Sequence, residues 1–200
     1  MGGRWRWMLL QRPIPRLQTA RDSYFNELIA WRELAINLVR YNPLYDSPEA
    51  AEDWAKASIA EHARDEREHL YTLAQLEAAE THDELWNAGQ LQMLHFGWMH
   101  NYLRMYWAKK IIEWTPDIAT AHKYAVHLND KYFLDGRDPN GYAGVAWAML
   151  GKFDRPWFDR PIFGKLRYMS GASTGRKFDS KRYIRQMQAL AGNVHSPTLF

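Results

Sequence analysis

The chain of 200 residues contains no cysteine, so disulfides and thiolate metal ligands are excluded; the composition fits a reducing compartment. No apolar run approaches the length of a membrane-spanning helix. Met8-Leu9-Leu10 is too short for the core of a secretory signal, and Pro13 and Pro15 follow it, so a cytoplasmic location is expected. No period-two alternation of apolar and polar residues marks a strand, and there is no internal repeat or low-complexity tract. These absences leave a single all-α domain as the expected architecture.

Aromatic residues are abundant. Ten Trp and eleven Tyr accompany a hydrophobic content of 46%, enough for a core at this length. The net charge is only +3 but is segregated. Residues 46–84 hold twelve acids against three bases, and residues 151–185 hold ten bases against three acids. The basic stretch includes Arg155, Lys165, Arg167, Arg176 and Lys177. It suits phosphate or another acidic surface, and equally a solvated face that balances the acidic segment.

In chain order, residues 1–21 read as a basic-aromatic arm or linker, with Arg4-Trp5-Arg6-Trp7 followed by Arg12-Pro13-Ile14-Pro15-Arg16. Asp22 or Ser23 can cap a helix to about Tyr41, stopped by Asn42-Pro43, with Phe25, Leu28, Ile29, Arg32, Ile36 and Val39 as its core stripe. Within it Glu27 and Trp31 share a face. Ser47-Pro48-Glu49 starts the next helix. Glu66-x-x-His69 is one copy of a metal-binding helix element that needs two; it reads as solvated helix surface, and no metal is expected. Short helices over 70–79 and from Asp83 to Gly97 follow. Met99–Trp114 reads as one helix that places Trp107 and Trp114 on nearly the same face, two turns apart. Asp117 starts another, to about Phe133. Asp135–Gly141 reads as a polar loop of the kind that carries binding chemistry beside a rigid helix. An apolar piece to Leu150, an irregular 151–175, a helix near 180–190 and a tail over 191–200 complete the reading.

Several of these stretches together resemble a family. Arg104-Met105-Tyr106-Trp107-Ala108-Lys109-Lys110-Ile111, Leu128-Asn129-Asp130-Lys131-Tyr132 and Leu134-Asp135-Gly136-Arg137-Asp138-Pro139-Asn140-Gly141-Tyr142 are similar to the flavin-binding helical domain of class II cyclobutane-pyrimidine-dimer photolyases. The match extends to Glu27–Leu34, to Gly164–Ser170 and to Arg176–Asp179, within a helical domain over 22–190. The resemblance implies a photolyase/cryptochrome-like C-terminal portion that lacks the α/β antenna domain and the first part of the helical domain.

It further implies FAD as cofactor and light-driven repair of pyrimidine dimers in DNA, with activity depending on a complementary chain. Glu27, Trp31 and Trp147 would form the lesion pocket. Trp86, Trp107 and Trp114 would relay electrons. Arg104 and Asp135 would be a buried ion pair beside the flavin ring, with Asn129 facing its N5 and Asn140 a second candidate. Asp138 would hold the adenine-ribose end, and Arg155 with the basic stretch would meet DNA phosphates. Two positions depart from the family pattern: Asn101 stands where Gly is usual, and Trp98 where Lys is usual. Two other readings remain beside this one, a helical structural or interaction subunit without catalysis and a small flavin photosensor. In either case a second copy or another chain is expected to cover the face carrying Trp31, Arg104 and Trp147.

Overall fold

Stop signals and caps set the helix boundaries. The computed structural model describes residues 15–193, which are helical and irregular with no strand among them. The first element is a continuous rod: α1 (Pro15–Phe25), a π-helical turn (Asn26–Trp31) and α2 (Arg32–Tyr41). Phe25 and Trp31 keep right-handed helical angles at both junctions, so the rod does not break. It ends at Asn42, whose backbone is extended ahead of Pro43, as the sequence requires.

The start differs from expectation. Asp22 and Ser23 lie inside the rod rather than at a cap, and Gln18 donates to Asp22 at 3.0 Å one turn away. Arg-Leu-Gln-Thr-Ala after Pro15 contains no helix breaker, and proline is tolerated at a helix start. The Arg-Trp-Arg-Trp run at 4–7 lies outside the described residues.

The core stripe also differs. Ala35 and Leu38 are buried and Ile36 and Val39 half-buried, whereas Phe25, Leu28 and Ile29 are 46%, 48% and 54% exposed. Only the C-terminal half of the rod packs on the body, and the wide π turn shifts the phase of the stripe ahead of it.

Ser47 accepts from the Glu49 N–H to open a single 3₁₀ turn (Pro48–Ala50), followed by α3 (Asp53–Glu61). Glu66 and His69 fall beyond α3 in irregular chain, so helical spacing does not bring them together. Thr72 and Gln75 form a capping box on α4 (Leu73–Glu77). Asp83 caps α5 (Glu84–Phe96), which Gly97 ends in the left-handed conformation at φ 64°. His100 caps α6 (Asn101–Glu113), and Asp117 caps α7 (Ile118–Tyr132). Asp138 caps α8 (Pro139–Leu150), so Asn140 and Gly141 belong to its first turn rather than to a loop. After an irregular 151–170, Ser170 caps α9 (Gly171–Gly175), and α10 (Ser180–Asn193) closes the described chain.

Helices α6, α7 and α8 pack on one another, α2 lies on α8, and α10 lies on α5. Trp86, Tyr106, Trp107, Ile111, Leu128, Met149 and Leu150 fill the centre. The loop after α8 is pinned to α3: the Lys165 N–H donates to Ser58 Oγ at 2.7 Å, and the Ile162 N–H donates to Asp65 at 2.7 Å. His62 adds a bridge, with Nδ1 2.6 Å from Asp65 and Nε2 3.2 Å from Asp159. Its hydrogen bond to Asp65 raises its pKa against the opposing effect of burial.

Lys109 is the least expected core member, fully buried on α6 with its ammonium donating to the Ala148 carbonyl in the last turn of α8. That contact satisfies a carbonyl the helix cannot pair itself. Burial pulls the Lys109 pKa down from 10.5 to about 7. Between those values the unfolded chain binds the proton more tightly, so stability rises with pH through that window and is lowest below it. Chemical denaturation from about pH 6 to about pH 10 should show a gain on the order of 4 kcal/mol that Lys109→Met abolishes. An unchanged slope in that variant would remove Lys109 as its source.

Candidate functional site

Two adjoining cavities open between the rod, α6 and α8. The inner one, of 60 Å³, is lined by Arg104, Met105, Trp107, Asn129, Trp147 and neighbours. The outer one, of 300 Å³, is lined by Glu27, Trp31, Met105, Asn140, Trp147 and Phe153 among others. Asn101, Met105, Gly144 and Trp147 belong to both walls. A Cβ built on Gly144 would meet nothing within 4 Å, so this glycine leaves bare wall at the junction of the cavities.

The inner cavity has a cationic corner. Arg104 Nη1 donates to both Asp135 oxygens, at 2.8 and 3.1 Å, and its Nη2 donates to Asn129 Oδ1 in a short contact. The guanidinium also lies over the Phe133 ring at 3.7 Å. Asn129, 2% exposed, uses its Nδ2 on Asp130 at 2.9 Å, so both ends of its amide are held by protein. The ion pair is not buried as expected: the Arg104 side chain is 24% exposed and that of Asp135 53%. Asp135 sits on the loop between α7 and α8, and nothing among the described residues covers its outer side.

That loop is shaped by backbone. Gly136 N–H donates to Phe133 at 2.9 Å, the Arg137 N–H donates to Asp130 at 3.1 Å, and Arg137 takes a left-handed φ of 64°. Asp138 spends its carboxylate on capping α8 and on Arg32, 3.5 Å away, which ties α8 to the rod. Asn140, in the next turn, lines the outer cavity and not the inner one.

The outer cavity brings Glu27, Trp31 and Trp147 together. Glu27 and Trp31 both lie in the π-helical turn, a feature frequent at functional sites that the sequence reading missed. Two further wall residues were also missed. Met105 is one turn along α6 from Asn101, a spacing that could have signalled it. Phe153 holds a left-handed φ of 58° and meets the Trp31 ring edge-on at 6.2 Å. A non-glycine residue in that conformation at a cavity wall is strain of the kind that collects at binding sites.

The basic residues divide between two places. Arg167 pairs bidentately with Asp154 at 3.0 Å and lies over Trp157 and Trp147, with Arg155 beside Trp157. Lys165 is exposed on the same irregular segment. Exposed Arg176 precedes Lys177, which lies over Tyr102 and lines a separate 560 Å³ groove with Trp98, Phe178 and Tyr183.

Behind the inner cavity, Trp107, Trp86 and Trp114 form one array. Trp107 stacks on Trp86 at 6.4 Å with planes 8° apart, and Trp86 meets Trp114 edge-on at 5.6 Å. All three are at most 2% exposed. Trp86 Nε1 donates to the Trp107 carbonyl and Trp107 Nε1 to Gln90, which fixes both rings. The array runs from the cavity wall, at Trp107, through Trp86 to the C-terminal end of α6, at Trp114.

No family model matches the chain. Comparison with curated proteins does find relatives. The chain is 53% identical over 171 residues to deoxyribodipyrimidine photo-lyase of Oryza sativa subsp. japonica, covering 86% of this chain and 34% of that protein. It is 49% identical to the Arabidopsis thaliana protein of the same name over 171 residues, again 86% and 34% of the two chains. Identity to the Potorous tridactylus protein of that name is 48% over 185 residues, covering 89% of this chain and 35% of the relative. The chain therefore spans about a third of the length of these curated relatives. By sequence it is a relative of the deoxyribodipyrimidine photolyases, matched over one segment of them.

Proposed function

We propose that this chain supplies one wall of a flavin-dependent site for light-driven repair of cyclobutane pyrimidine dimers in DNA. The observation that carries the reading is the alignment of an aromatic outer cavity, a cationic inner cavity and a tryptophan array that begins in the inner wall. The 60 Å³ inner cavity is too small to enclose a flavin ring, so FAD would lie across its open mouth: Gly144 leaves bare wall there, and Arg104 offers positive charge to a reduced, anionic ring. When bound, reduced FAD supplies a light-driven electron to the dimer and takes it back after the bonds break. Arg104 would hold the ring, oriented by Asp135, Asn129 and Phe133. Trp31 and Trp147 would flank a flipped-out dimer, and Glu27, with no hydrogen-bond partner among the described residues, would meet a base edge. Arg155 and Arg167 lie beside Trp147 and Trp157, where phosphates flanking a flipped base would fall, so binding should weaken steeply with salt.

The test is FAD binding followed by flavin fluorescence and the visible spectrum, on wild type, Arg104→Ala and Asp135→Ala. Wild type should bind, and Arg104→Ala should weaken binding more than Asp135→Ala, because Arg104 keeps Asn129 and Phe133 when Asp135 is gone. Equal binding by all three proteins would detach flavin from this corner.

A second reading, a structural or interaction subunit without catalysis, draws on the rod. Leu17, Tyr24, Phe25, Leu28, Ile29, Trp31 and Leu34 are 40–63% exposed along it, a row of apolar side chains unusual on a free monomer. We propose that a further polypeptide, a second copy or a different chain, packs along this row and covers the open side of the cavities. Light scattering on the isolated chain reads self-association directly. A stable monomer that binds no hydrophobic dye would contradict the proposal.

A further inference from the structure

The groove beside Lys177 shares no wall residue with either cavity of the proposed flavin site. Asn101, Arg104, Met105 and Ala108 line the inner cavity at helical spacing, which turns Tyr102 and Leu103 to the other side of α6. The groove's 560 Å³ exceeds the 60 and 300 Å³ of those cavities and falls within the roughly 300–1,000 Å³ usual for small-molecule sites. Its walls are aromatic: Trp98 ahead of α6, Tyr102 on it, Phe178 ahead of α10 and Tyr183 in the first turn of α10. Trp98 is 56% and Phe178 39% exposed, so two of these rings face water. One exposed ring needs no explanation, but four around a single hollow do.

The free polar groups of the groove are donors. The exposed Lys177 holds its ammonium 5.9 Å from the centre of the Tyr102 ring and has no carboxylate partner among the described residues. His100 Nδ1 accepts the Tyr102 N–H at 3.2 Å, so the proton of the neutral ring is on Nε2, which can donate. Gln92 Oε1 accepts from the Tyr183 hydroxyl at 2.6 Å, which leaves the Gln92 amide N–H groups to donate. No carboxylate lines the groove among the described residues. Asp179, next to Phe178, instead accepts from the Arg182 N–H at 3.0 Å. Residues 176–185 hold five bases and one acid, so the local field favours an anion.

We propose that this groove binds a small planar aromatic molecule bearing a carboxylate or phosphate, with its ring among the four aromatic side chains and its anionic group at Lys177. Burial of the ring supplies the affinity, because apolar surface leaves water on both partners. Lys177 sets the sign of the charge, and the Gln92 and His100 donors fix the orientation. A nucleic-acid strand would need a row of cations along its backbone, whereas Lys177 is the one cationic side chain in this wall among the described residues. The site does not depend on flavin, since none of its residues holds Arg104.

The test is calorimetric titration of the full chain with 2-naphthoate, with 2-naphthyl phosphate and with the neutral 2-naphthylmethanol. Wild type should bind at least one of the two anions about tenfold more tightly than the alcohol. Lys177→Met, which keeps the apolar stem, should lose that preference and bind the alcohol as before. Trp98→Ala should weaken all binding about fivefold or more. Both positions are exposed, so the fold should hold, and melting curves check it; if one variant does not fold, the other decides. Arg104→Ala should bind the anions as wild type does, and a loss there would place them in the other cavities and overturn the proposal. Binding of neither anion, no preference over the alcohol, or an unchanged preference in Lys177→Met would also overturn it. A short oligothymidylate that binds wild type but not Lys177→Met, where neither naphthyl anion binds, would make the groove a nucleic-acid surface instead.

Discussion

Light-driven flavin reduction should fall by an order of magnitude or more when Trp86 is replaced by Phe. Trp86 is the middle station, 6.4 Å from Trp107 and 5.6 Å from Trp114 between ring centres. No other aromatic ring bridges those two among the described contacts. Phe is much harder to oxidise than Trp, so the electron would have to cross both gaps in one step, and transfer rates fall exponentially with distance. The fold should survive. Losing the Trp86 Nε1 bond to the Trp107 carbonyl and part of a buried ring costs about 1–3 kcal/mol. Trp54→Phe is the control, since Trp54 packs against Gly151 and has no ring contact with the array. Photoreduction followed by the loss of oxidised-flavin absorbance distinguishes them. Equal rates in Trp86→Phe and wild type would mean that electrons reach the cavity by another route.

The second large effect is expected from a residue that touches no ligand. A Cβ on Gly136 would come within 2.7 Å of the Asn129 carbonyl, 2.9 Å of the Phe133 carbonyl and 3.0 Å of Asp130 Cα. All three are backbone atoms, so no side-chain rotation relieves the overlap. Gly136→Ala should therefore push the 134–138 loop off the end of α7 and carry Asp135 away from Arg104. A loss of about 2–4 kcal/mol in stability is expected, because backbone must move rather than a rotamer. FAD affinity should fall further than in Asp135→Ala, since Asn129 and Phe133 are displaced along with Asp135. Thermal melts paired with flavin titration read both effects. A variant as stable as wild type would show that the loop yields without cost.

The sequence made the caps legible because a cap is local chemistry. Ser47, Asp83, Asp117 and Gly97 act as their neighbours require. Asp138-Pro139 carries the same signature, but the polar run that follows it has the composition of a loop and masks the first turn of α8. The shared face of Trp107 and Trp114 follows from helical period, but the stack of Trp86 on Trp107 depends on how α5 crosses α6, which no spacing encodes. The rod shows the converse. Phe25, Leu28 and Ile29 have core-like spacing yet are exposed, because periodicity records that a face is apolar and not what covers it. The charge run at 151–185 likewise looked like one surface. The chain turns through 151–175, so Arg155 and Arg167 come to Trp157 while Lys177 reaches Tyr102. The exposure of Asp135 was hidden for the same reason, since burial of an ion pair is a property of the surrounding packing.

The central claim is that these side chains form one wall of a flavin and dimer site. The most direct measurement puts this chain in place of the 171-residue segment it matches in the rice relative and follows repair of dimer-containing DNA under blue light. The account predicts that the hybrid carries flavin and repairs dimers, and that Trp31→Ala or Trp147→Ala in it removes the preference for damaged strands while leaving flavin bound. A hybrid that folds and binds flavin but repairs nothing would contradict the account.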